Sequence, residues 1–347
     1  MELTKQDTQM AKGMASLGMV MLHLFCRLGE LPYTPLIWCK NSPLIYYLGL
    51  FGDLCVPVYC FCSGYAHYLM ADSQKKDYVK RLPNKALRFL TNYWIVVILF
   101  SLVGLLLDQT GKIPGSRKDF FANLFLISTS YNGAWWFVMT YLILLFLSKP
   151  LAELTKHSNC IVLLIVSFAV YFAAYQIRFN HDDITFINPV IQWFWRQTIL
   201  LGTSQFGYLI GMVCRKCGWI NSLKLCLQDR PVLRRLLVCV LPTAAFLGHC
   251  IVQSAFVAPF TACAALAGLF LVHLPHWAGK CFLILGKHST NIWLVHMFFF
   301  STLLPNFIFF AKYPVLILGV MLAICYACSI VIDFCYRPIL AMLAHKK

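Results

Sequence analysis

Apolar stretches of about 20 residues follow one another along almost the whole chain. A helix of about 20 apolar residues spans the hydrocarbon core of a bilayer, which is about 30 Å thick. Ten such stretches are present, at 11–29, 44–70, 89–107, 134–150, 160–177, 192–213, 236–254, 256–273, 289–310 and 314–336. Hydrophobic residues make up 60% of the 347 positions and charged residues only 12%, which excludes a soluble globular domain. The sequence therefore predicts an all-α, polytopic integral membrane protein, with about ten transmembrane helices in one bundle and a single domain over 1–347.

Lys and Arg fall in alternate short loops, the distribution that marks the cytoplasmic side of a membrane protein. They cluster after the second and the sixth stretch, at Lys75, Lys76, Lys80, Arg81, Lys85 and Arg88 and at Arg215, Lys216, Lys224, Arg230, Arg234 and Arg235. The chain ends on the same side with Arg337, Lys346 and Lys347. Both termini are thus predicted to be cytoplasmic, and the segment 178–191 with Asp182 and Asp183 to lie outside. The net charge of +16 then reflects topology and contact with membrane lipids, not nucleic acid.

A histidine in the first apolar stretch carries most of the functional information. His23 follows Lys12 by eleven positions, which corresponds to about 16 Å along a helix and places it near the bilayer middle. Ionisable groups inside a membrane are rare and costly, and they commonly mark functional sites. A neutral imidazole there can act as a general base for a hydroxyl that attacks a carbonyl. A role restricted to interhelical hydrogen bonding is the alternative.

Three other features each have two interpretations. The basic cluster at the cytoplasmic ends of the first three helices suits a phosphorylated ligand, but such residues also set topology. Four tryptophans at predicted outer ends form either an interfacial belt or a platform for sugar stacking: Trp135, Trp136, Trp193 and Trp195. Cys214 and Cys217 form an isolated CxxC pair, and a structural zinc site needs two further ligands. We therefore predict no metal.

Four blocks of the sequence resemble the membrane acyltransferase-3 family, in the same order and at compatible spacing. The first runs from Lys12 to His23, a basic residue and a histidine separated by ten positions. The second is Val56–Tyr65, which ends in Ser-Gly-Tyr. The others are Lys85-Ala-Leu-Arg88 with Asn92-Tyr-Trp94, and the segment from Leu285 to His296. The resemblance covers most of the chain.

This resemblance implies a membrane O-acetyltransferase that uses cytoplasmic acetyl-CoA as its donor substrate. The implied acceptor is a hydroxyl of a cell-surface polysaccharide, capsular or exopolysaccharide, or of its lipid-linked precursor, and the implied location is the bacterial plasma membrane. By position, His23 matches the catalytic histidine, and Lys12, Lys85 and Arg88 match basic residues at the CoA end. Two of these are Lys where the family commonly has Arg, so a bidentate role is disfavoured while phosphate binding is retained.

Further residues are assigned provisional roles. Asp53, about ten residues into the second stretch, is expected either to orient His23 or to bind acceptor hydroxyls, with a structural pairing as the alternative. His296 is expected on the donor side or in helix packing. Donors to the transition-state oxyanion, or contacts to the acceptor, are sought among Ser63, Trp136 and Ser289, for which packing is the alternative. Asp333 and Arg337 are expected to form a local i, i+4 ion pair.

The mechanism and the function class both keep alternatives at this level. Direct attack of the acceptor on the thioester and a two-step route through an acyl-imidazole are equally compatible with the residues. A secondary transporter of a glycan or anionic metabolite would also carry ionisable groups at the midplane. A non-catalytic scaffold would explain the basic loops and aromatic belts. Binding of CoA distinguishes an acyltransferase from both.

Overall fold

The computed structural model describes residues 2–27, 29–39, 41–73, 77–181, 184–272 and 274–345. The protein is 81% helical with almost no strand, which confirms the all-α membrane architecture. Several residues used in the topology argument lie outside the described residues: Lys75, Lys76, Asp182, Asp183, Lys346 and Lys347.

Fifteen α-helices follow one another in the described part of the chain. They are α1 (Lys5–Phe25), α2 (Leu44–Phe51), α3 (Cys55–Ser73), α4 (Tyr78–Leu106), α5 (Arg117–Leu124), α6 (Trp136–His157), α7 (Cys160–Asn180), α8 (Pro189–Cys217), α9 (Trp219–Cys226), α10 (Pro231–Val252), α11 (Ala258–Leu271), α12 (His276–Lys287), α13 (Ser289–Met297), α14 (Pro305–Phe309) and α15 (Pro314–His345). A two-stranded antiparallel hairpin pairs β1 (Trp38–Cys39) with β2 (Ser42–Pro43).

Within the described residues, six helical segments are long and apolar enough to cross a membrane. They are Leu44–Ser73, Tyr78–Leu106, Gly133–His157, Cys160–Asn180, Pro231–Val252 and Pro314–Met342. The first of these is α2 and α3 joined by a short 3₁₀ turn at Gly52–Leu54. Helices also occupy the other four predicted stretches, but they are more polar, shorter or interrupted, so the count of about ten spans stays a prediction.

The basic residues predicted to lie in loops are largely helical. Helix α4 begins at Tyr78, eleven residues before the predicted span, so the Lys80–Arg88 cluster lies on its first turns. Pro83 is the sixth residue of this helix, where its missing N–H leaves the carbonyl oxygen of Val79 without the usual intrahelical donor. Arg234 and Arg235, which are also predicted to lie in a loop, are helical too, at the start of α10. These cations are therefore held on rigid helices.

The ninth predicted span, 289–310, is not one continuous helix. Helix α12 ends at Lys287, α13 begins at Ser289, and a π-helical turn at Phe298–Leu303 follows before α14. Pro305 explains the end of the π-helical turn, because it has no N–H to continue the hydrogen bonds of that turn. π-helical turns inside helices are frequent at functional sites, and this one begins two residues after His296.

Glycines allow the central helices to approach closely. A Cβ atom on Gly64 of α3 would lie 2.0 Å from the carbonyl oxygen of Tyr208 in α8, and one on Gly211 would lie 2.2 Å from that of Phe61. Small residues at crossings let membrane helices pack backbone to backbone. The glycine of the Ser-Gly-Tyr block therefore allows α3 to pack directly against α8, and the preceding residue, Ser63, lies about 100° further around the helix.

Candidate active site

A cavity of about 120 Å³ lies at the centre of the bundle. Its wall includes three of the residues singled out from the sequence, Lys12 of α1, Ser63 of α3 and Ser289 of α13. Three sequence blocks, separated by up to 277 positions, therefore converge on one space. The other lining residues are mostly aromatic or apolar: Met19, Cys55, Val56, Tyr59, Phe89, Phe137, Tyr141, Thr290 and Trp293.

Tyr59 is a polar residue of this cavity that sequence reasoning missed. Its hydroxyl lies 2.7 Å from Ser16 Oγ, 3.5 Å from the Lys12 carbonyl oxygen, and interacts with Ser289. Helical spacing could have indicated it, because Tyr59 precedes Ser63 by four positions and so shares its face of α3. It connects α1, α3 and α13 around the cavity.

His23 and His296 meet one helical turn beyond the cavity. Their ring centroids are 5.0 Å apart at an interplanar angle of 43°. His23 lies four residues after Met19 and His296 three residues after Trp293, and both of these neighbours line the cavity. His23 is in the last turn of α1, which ends at Phe25, and His296 is in the last turn of α13. The pair therefore forms the next layer of the bundle beyond the cavity.

The tautomer of His296 follows from its hydrogen bonds. Its Nδ1 lies 2.8 Å from the carbonyl oxygen of Trp293 and 3.2 Å from that of Ile292. Carbonyl oxygens only accept, so Nδ1 carries the proton. Nε2 of this fully buried ring has no hydrogen-bond partner among the described residues. His296 thus presents a lone pair inside the protein.

The surroundings of the histidine pair disfavour a positive charge on both rings. Arg27 donates from Nη2 to the carbonyl oxygen of His23 at 3.2 Å, and its guanidinium lies over the ring of Phe300 at 5.7 Å. Protonation of both imidazoles would place two further cations about 5 Å apart beside this one, in an environment of low polarity. At least one neutral imidazole, able to accept a proton, is therefore favoured.

The remaining basic residues lie nearer the start of α1. Lys85 contacts Met70 Sδ at 3.1 Å and lies over the ring of Tyr78 at 5.2 Å. Both Lys85 and Lys12 interact electrostatically with buried His67, so the two ammonium groups share one region. Arg88 is exposed, it is not part of the cavity wall, and its carbonyl oxygen accepts from the hydroxyl of Tyr336 at 2.9 Å.

The start of the chain is fastened to the same end of the bundle. The carboxylate of Glu2 forms a salt bridge with Arg215 of α8 and accepts a hydrogen bond from the hydroxyl of Tyr65. Partial burial opposes ionisation, but the hydrogen bonds from Tyr65 and Arg215 outweigh it and hold the pKa of Glu2 below its usual value. Tyr65, the last residue of the Ser-Gly-Tyr block, therefore anchors the segment that leads into α1.

Asp53 pairs with a histidine that the sequence left without a role. Its Oδ2 lies 3.0 Å from Nε2 of His249 in α10, which also lies 3.2 Å from the carbonyl oxygen of Leu50. The side chains are 10% and 1% exposed, and Asp53 Oδ1 and His249 Nδ1 lack partners in the described part of the chain. The imidazole that Asp53 orients is thus that of His249.

Trp136 lies away from the central cavity. Its indole stacks with the guanidinium of Arg178 at 4.5 Å and lines a second cavity at the ends of α6, α7 and α8. The next residue, Phe137, lines the central cavity. Of the two roles expected for Trp136, donation to an oxyanion in the central cavity does not fit this position, and contact with an acceptor stays a prediction.

Asp333 does not form the expected pair with Arg337. No salt bridge joins them, and Asp333 instead accepts from Asn291 Nδ2 at 3.0 Å and lies 3.7 Å from Nδ1 of His288. Asp333 has these partners because α13 packs on α15. The donors of α13 are better placed for the carboxylate than Arg337, one turn further along α15. Ser289 lies between His288 and Asn291, so this network fixes its position on the cavity wall.

No group of three or more His, Cys, Asp or Glu side chains is arranged to hold a metal ion within the described ranges. Cys217 of the CxxC pair, the last residue of α8, lies with its sulfur 3.2 Å from that of Cys160, the first residue of α7. The cavity wall thus carries ammonium and hydroxyl donors, with two imidazoles one turn away, and these groups can bind phosphate, transfer protons and stabilise an oxyanion.

Comparison with protein families gives one assignment. The model of the acyltransferase-3 family, described as an acyltransferase domain, matches residues 9–333. Comparison with curated proteins and with solved structures gave no match. The matched range contains every candidate site residue considered above, from Lys12 to His296. Because the match spans nearly the whole chain, this integral membrane protein belongs to the acyltransferase-3 family of acyltransferases.

Proposed function

We propose that the protein is an O-acetyltransferase that moves an acetyl group from cytoplasmic acetyl-CoA to a hydroxyl of a cell-surface polysaccharide or its lipid-linked precursor. One observation carries the proposal: the cavity lined by Lys12, Ser63 and Ser289 is followed, one turn further, by the paired imidazoles of His23 and His296. Family membership supports acyl transfer as the reaction class. The donor and the acceptor are inferred from the motif resemblance.

The donor approaches from the end of the bundle where the cations lie. Lys12 and Lys85 supply two ammonium groups for the phosphates of CoA, since charge-assisted hydrogen bonds to phosphate are strong. The exposed Arg88 side chain serves the same end at the surface. The acyl group reaches along the cavity toward the histidines. At about 120 Å³ this cavity suits a thioester and a short acyl chain, with the nucleotide outside.

The chemistry is a transfer from sulfur to oxygen. His23 accepts the proton of the acceptor hydroxyl while the oxygen attacks the thioester carbonyl. The tetrahedral intermediate collapses as the carbon–sulfur bond breaks, and the leaving thiolate takes the proton back from the imidazolium. In this proposal His23 is the ring that takes up and returns the proton, and His296, with its Nδ1 proton on the backbone, stays neutral because two imidazolium ions 5.0 Å apart would repel each other. Ser63, Ser289 and Tyr59 are the donors proposed for the oxyanion.

The acceptor approaches from the opposite end, where Trp136 lies. Both termini and the Lys12 end are cytoplasmic in this proposal, which places the protein in the plasma membrane with a bacterial cell-surface glycan outside. The contact between Glu2 and Arg215 supports one shared face for the basic ends of α1 and α8. Lys216, which donates to the carbonyl oxygens of Thr155 and Ser158, adds a further cation to that face.

The test is turnover of acetyl-CoA by the purified protein in lipid nanodiscs. Release of free thiol is followed with and without a surface-polysaccharide fraction, for the wild type and for His23→Ala. The expected result is release that depends on the acceptor and is lost in the variant. His157→Ala is the matched control, because His157 is an exposed histidine at the end of α6 to which the proposal gives no role.

Two results would contradict the proposal. Retained turnover in folded His23→Ala protein would remove the histidine from the chemistry. Uptake of a glycan or anionic metabolite into proteoliposomes, with no consumption of thioester, would favour a transporter instead.

A further inference from the structure

A second cavity, of about 540 Å³, lies at the ends of α6, α7 and α8. The adjoining loop is the segment 178–191, which topology predicts to lie outside. The described lining residues are Trp136, Ile177, Arg178, Phe179, His181, Ile184, Gln192, Trp195, Arg196, Ile199 and Leu200. None of them is acidic, two are arginines and two are tryptophans. We call this space the outer cavity.

The polar groups of the outer cavity are donors, and several are held in place. Arg178 donates to Thr203 Oγ1 at 3.1 Å while its guanidinium stacks on Trp136. Gln192 Oε1 accepts from the backbone N–H of Phe186 at 2.7 Å, which leaves its amide N–H groups for a ligand. Arg196 is exposed and makes no hydrogen bond or ion pair with any described residue.

This combination matches the chemistry of an acidic sugar. Indole rings provide flat apolar surfaces for the faces of a sugar ring, and Trp195 is held edge to face by Phe186 at 5.7 Å. A guanidinium recognises a carboxylate with two parallel hydrogen bonds, which a lysine cannot do. A neutral glycan would need acceptors as well as donors to match its hydroxyl groups, and the described lining offers few acceptors.

The outer cavity is also adjacent to the proposed reaction site. Trp136 lines the outer cavity, Phe137 lines the central one, and Phe137 packs on Trp293 at 5.8 Å between ring centroids. The turn before them is fastened to α13, because the indole of Trp135 donates to the carbonyl oxygen of Leu294 at 2.9 Å. A sugar bound in the outer cavity would therefore be separated from the central cavity by Trp136 and Phe137, and the histidine pair lies one turn beyond the central cavity.

We propose that the outer cavity binds a carboxylate-bearing sugar of the acceptor glycan, with Arg196 on the carboxylate and Trp195 and Trp136 on the sugar faces. This inference rests on the proposed function, because only an acyltransferase has an acceptor. It adds the chemical class of that acceptor. Asp182 and Asp183 lie next to the cavity in sequence but outside the described residues, so the experiment includes them.

The test is equilibrium binding in nanodiscs without any acyl donor. The probes are an oligogalacturonate of four residues and its methyl-esterified form, which has the same rings but no charge. We expect the acid to bind at least tenfold more tightly than the ester, and Arg196→Gln to remove this difference. Trp195→Ala is expected to weaken both probes. Asp182→Asn combined with Asp183→Asn is expected to leave binding of the acid equal or tighter.

Arg117→Gln is the matched control, because Arg117 lines a different groove, between α4 and α5. Equal affinity for acid and ester, or an unchanged preference in folded Arg196→Gln protein, would overturn the inference. Preference for the acid without any thioester turnover would leave the outer cavity assigned and remove the proposed function. Turnover on neutral glycans together with equal binding would remove this inference alone.

Discussion

The imidazole rings of His23 and His296 lie 5.0 Å apart between centroids, although 273 residues separate them in the chain. One ring has its tautomer fixed by backbone carbonyl oxygens, whereas the other makes no hydrogen bond through its side chain among the described residues. This difference fits the roles proposed above, in which His296 is the oriented, neutral partner and His23 is the ring that takes up and returns the proton.

The two histidines should therefore differ in the effect of their removal. His23→Ala is expected to reduce the rate of acyl transfer by about 10²- to 10⁴-fold, the usual contribution of a general base. His296→Ala should reduce it less, and the double variant should be no worse than His23→Ala, because the second ring acts through the first. Thiol release measures all three, with His157→Ala as the control. Additive losses would contradict this division of roles.

Lys12 should control the affinity for the donor. Its replacement by Ala removes one charge-assisted contact to phosphate, and we expect the KM for acetyl-CoA to rise roughly tenfold with little change in kcat. Lys12→Arg should keep most of the affinity because the charge remains. Lys224→Ala on α9 serves as the control, since Lys224 does not line the cavity. A fall in kcat with an unchanged KM would exclude this role.

Gly64 should be intolerant of even one methyl group. In Gly64→Ala the new Cβ would lie 2.0 Å from the carbonyl oxygen of Tyr208, so α3 and α8 must separate. We expect a loss of about 1–3 kcal/mol in the free energy of unfolding. Gly248→Ala in α10 is the control, because nothing lies within 4 Å of its Cβ position. Thermal unfolding in detergent would compare them, and equal stability of both variants would refute the close crossing.

Breaking the pair of Asp53 and His249 should mainly lower the free energy of unfolding, and any loss of catalytic rate should follow from that. Replacing either partner leaves a buried polar group unpaired, which typically costs about 3–5 kcal/mol. Asp53→Ala and His249→Ala are therefore expected to loosen α10 to a similar degree, with no additive loss in the double variant. Unfolding measurements and turnover should be made on the same samples. A large loss of rate in Asp53→Ala without a loss of stability would restore the catalytic role expected from the sequence.

Glu2 should confer a small dependence of stability on pH. Because the pKa of Glu2 is lowered in the folded state from its usual value of 4.5, its contribution to stability is present above that value and is lost as pH falls through the folded pKa. The carboxylate is half exposed, so the effect should stay below about 1 kcal/mol. Glu2→Gln should abolish it, whereas Asp77→Asn should not. Unfolding curves for Glu2→Gln and wild type with the same acid dependence would contradict the assignment.

Helices and the convergence of Lys12, Ser63 and Ser289 were accessible from the sequence. The length of the apolar stretches predicts the helices. The four sequence blocks predict that their polar residues share a site, because polar residues inside an apolar span are costly unless they have a function. Helical spacing within the blocks also contains Tyr59, four positions before Ser63.

The partners of Asp53 and Asp333 could not be predicted in the same way. Each carboxylate is paired with a residue about 40 or 200 positions away, and the choice depends on how α10 and α13 pack, not on local spacing. The break between α12 and α13 is similar, since Ser289 reads as helical and only the packing of both halves fixes the turn. The outer cavity was visible only as tryptophans whose role was left open.

The adjacency of Trp136 and Phe137 changes what has to cross the membrane. Their rings lie 5.5 Å apart, and they face separate compartments. At this point two aromatic side chains, and not a lipid bilayer, separate the central cavity from the outer cavity. In the reaction proposed above, CoA and the glycan would therefore each stay on its own side of the protein, and only an acyl group of a few heavy atoms would move between them.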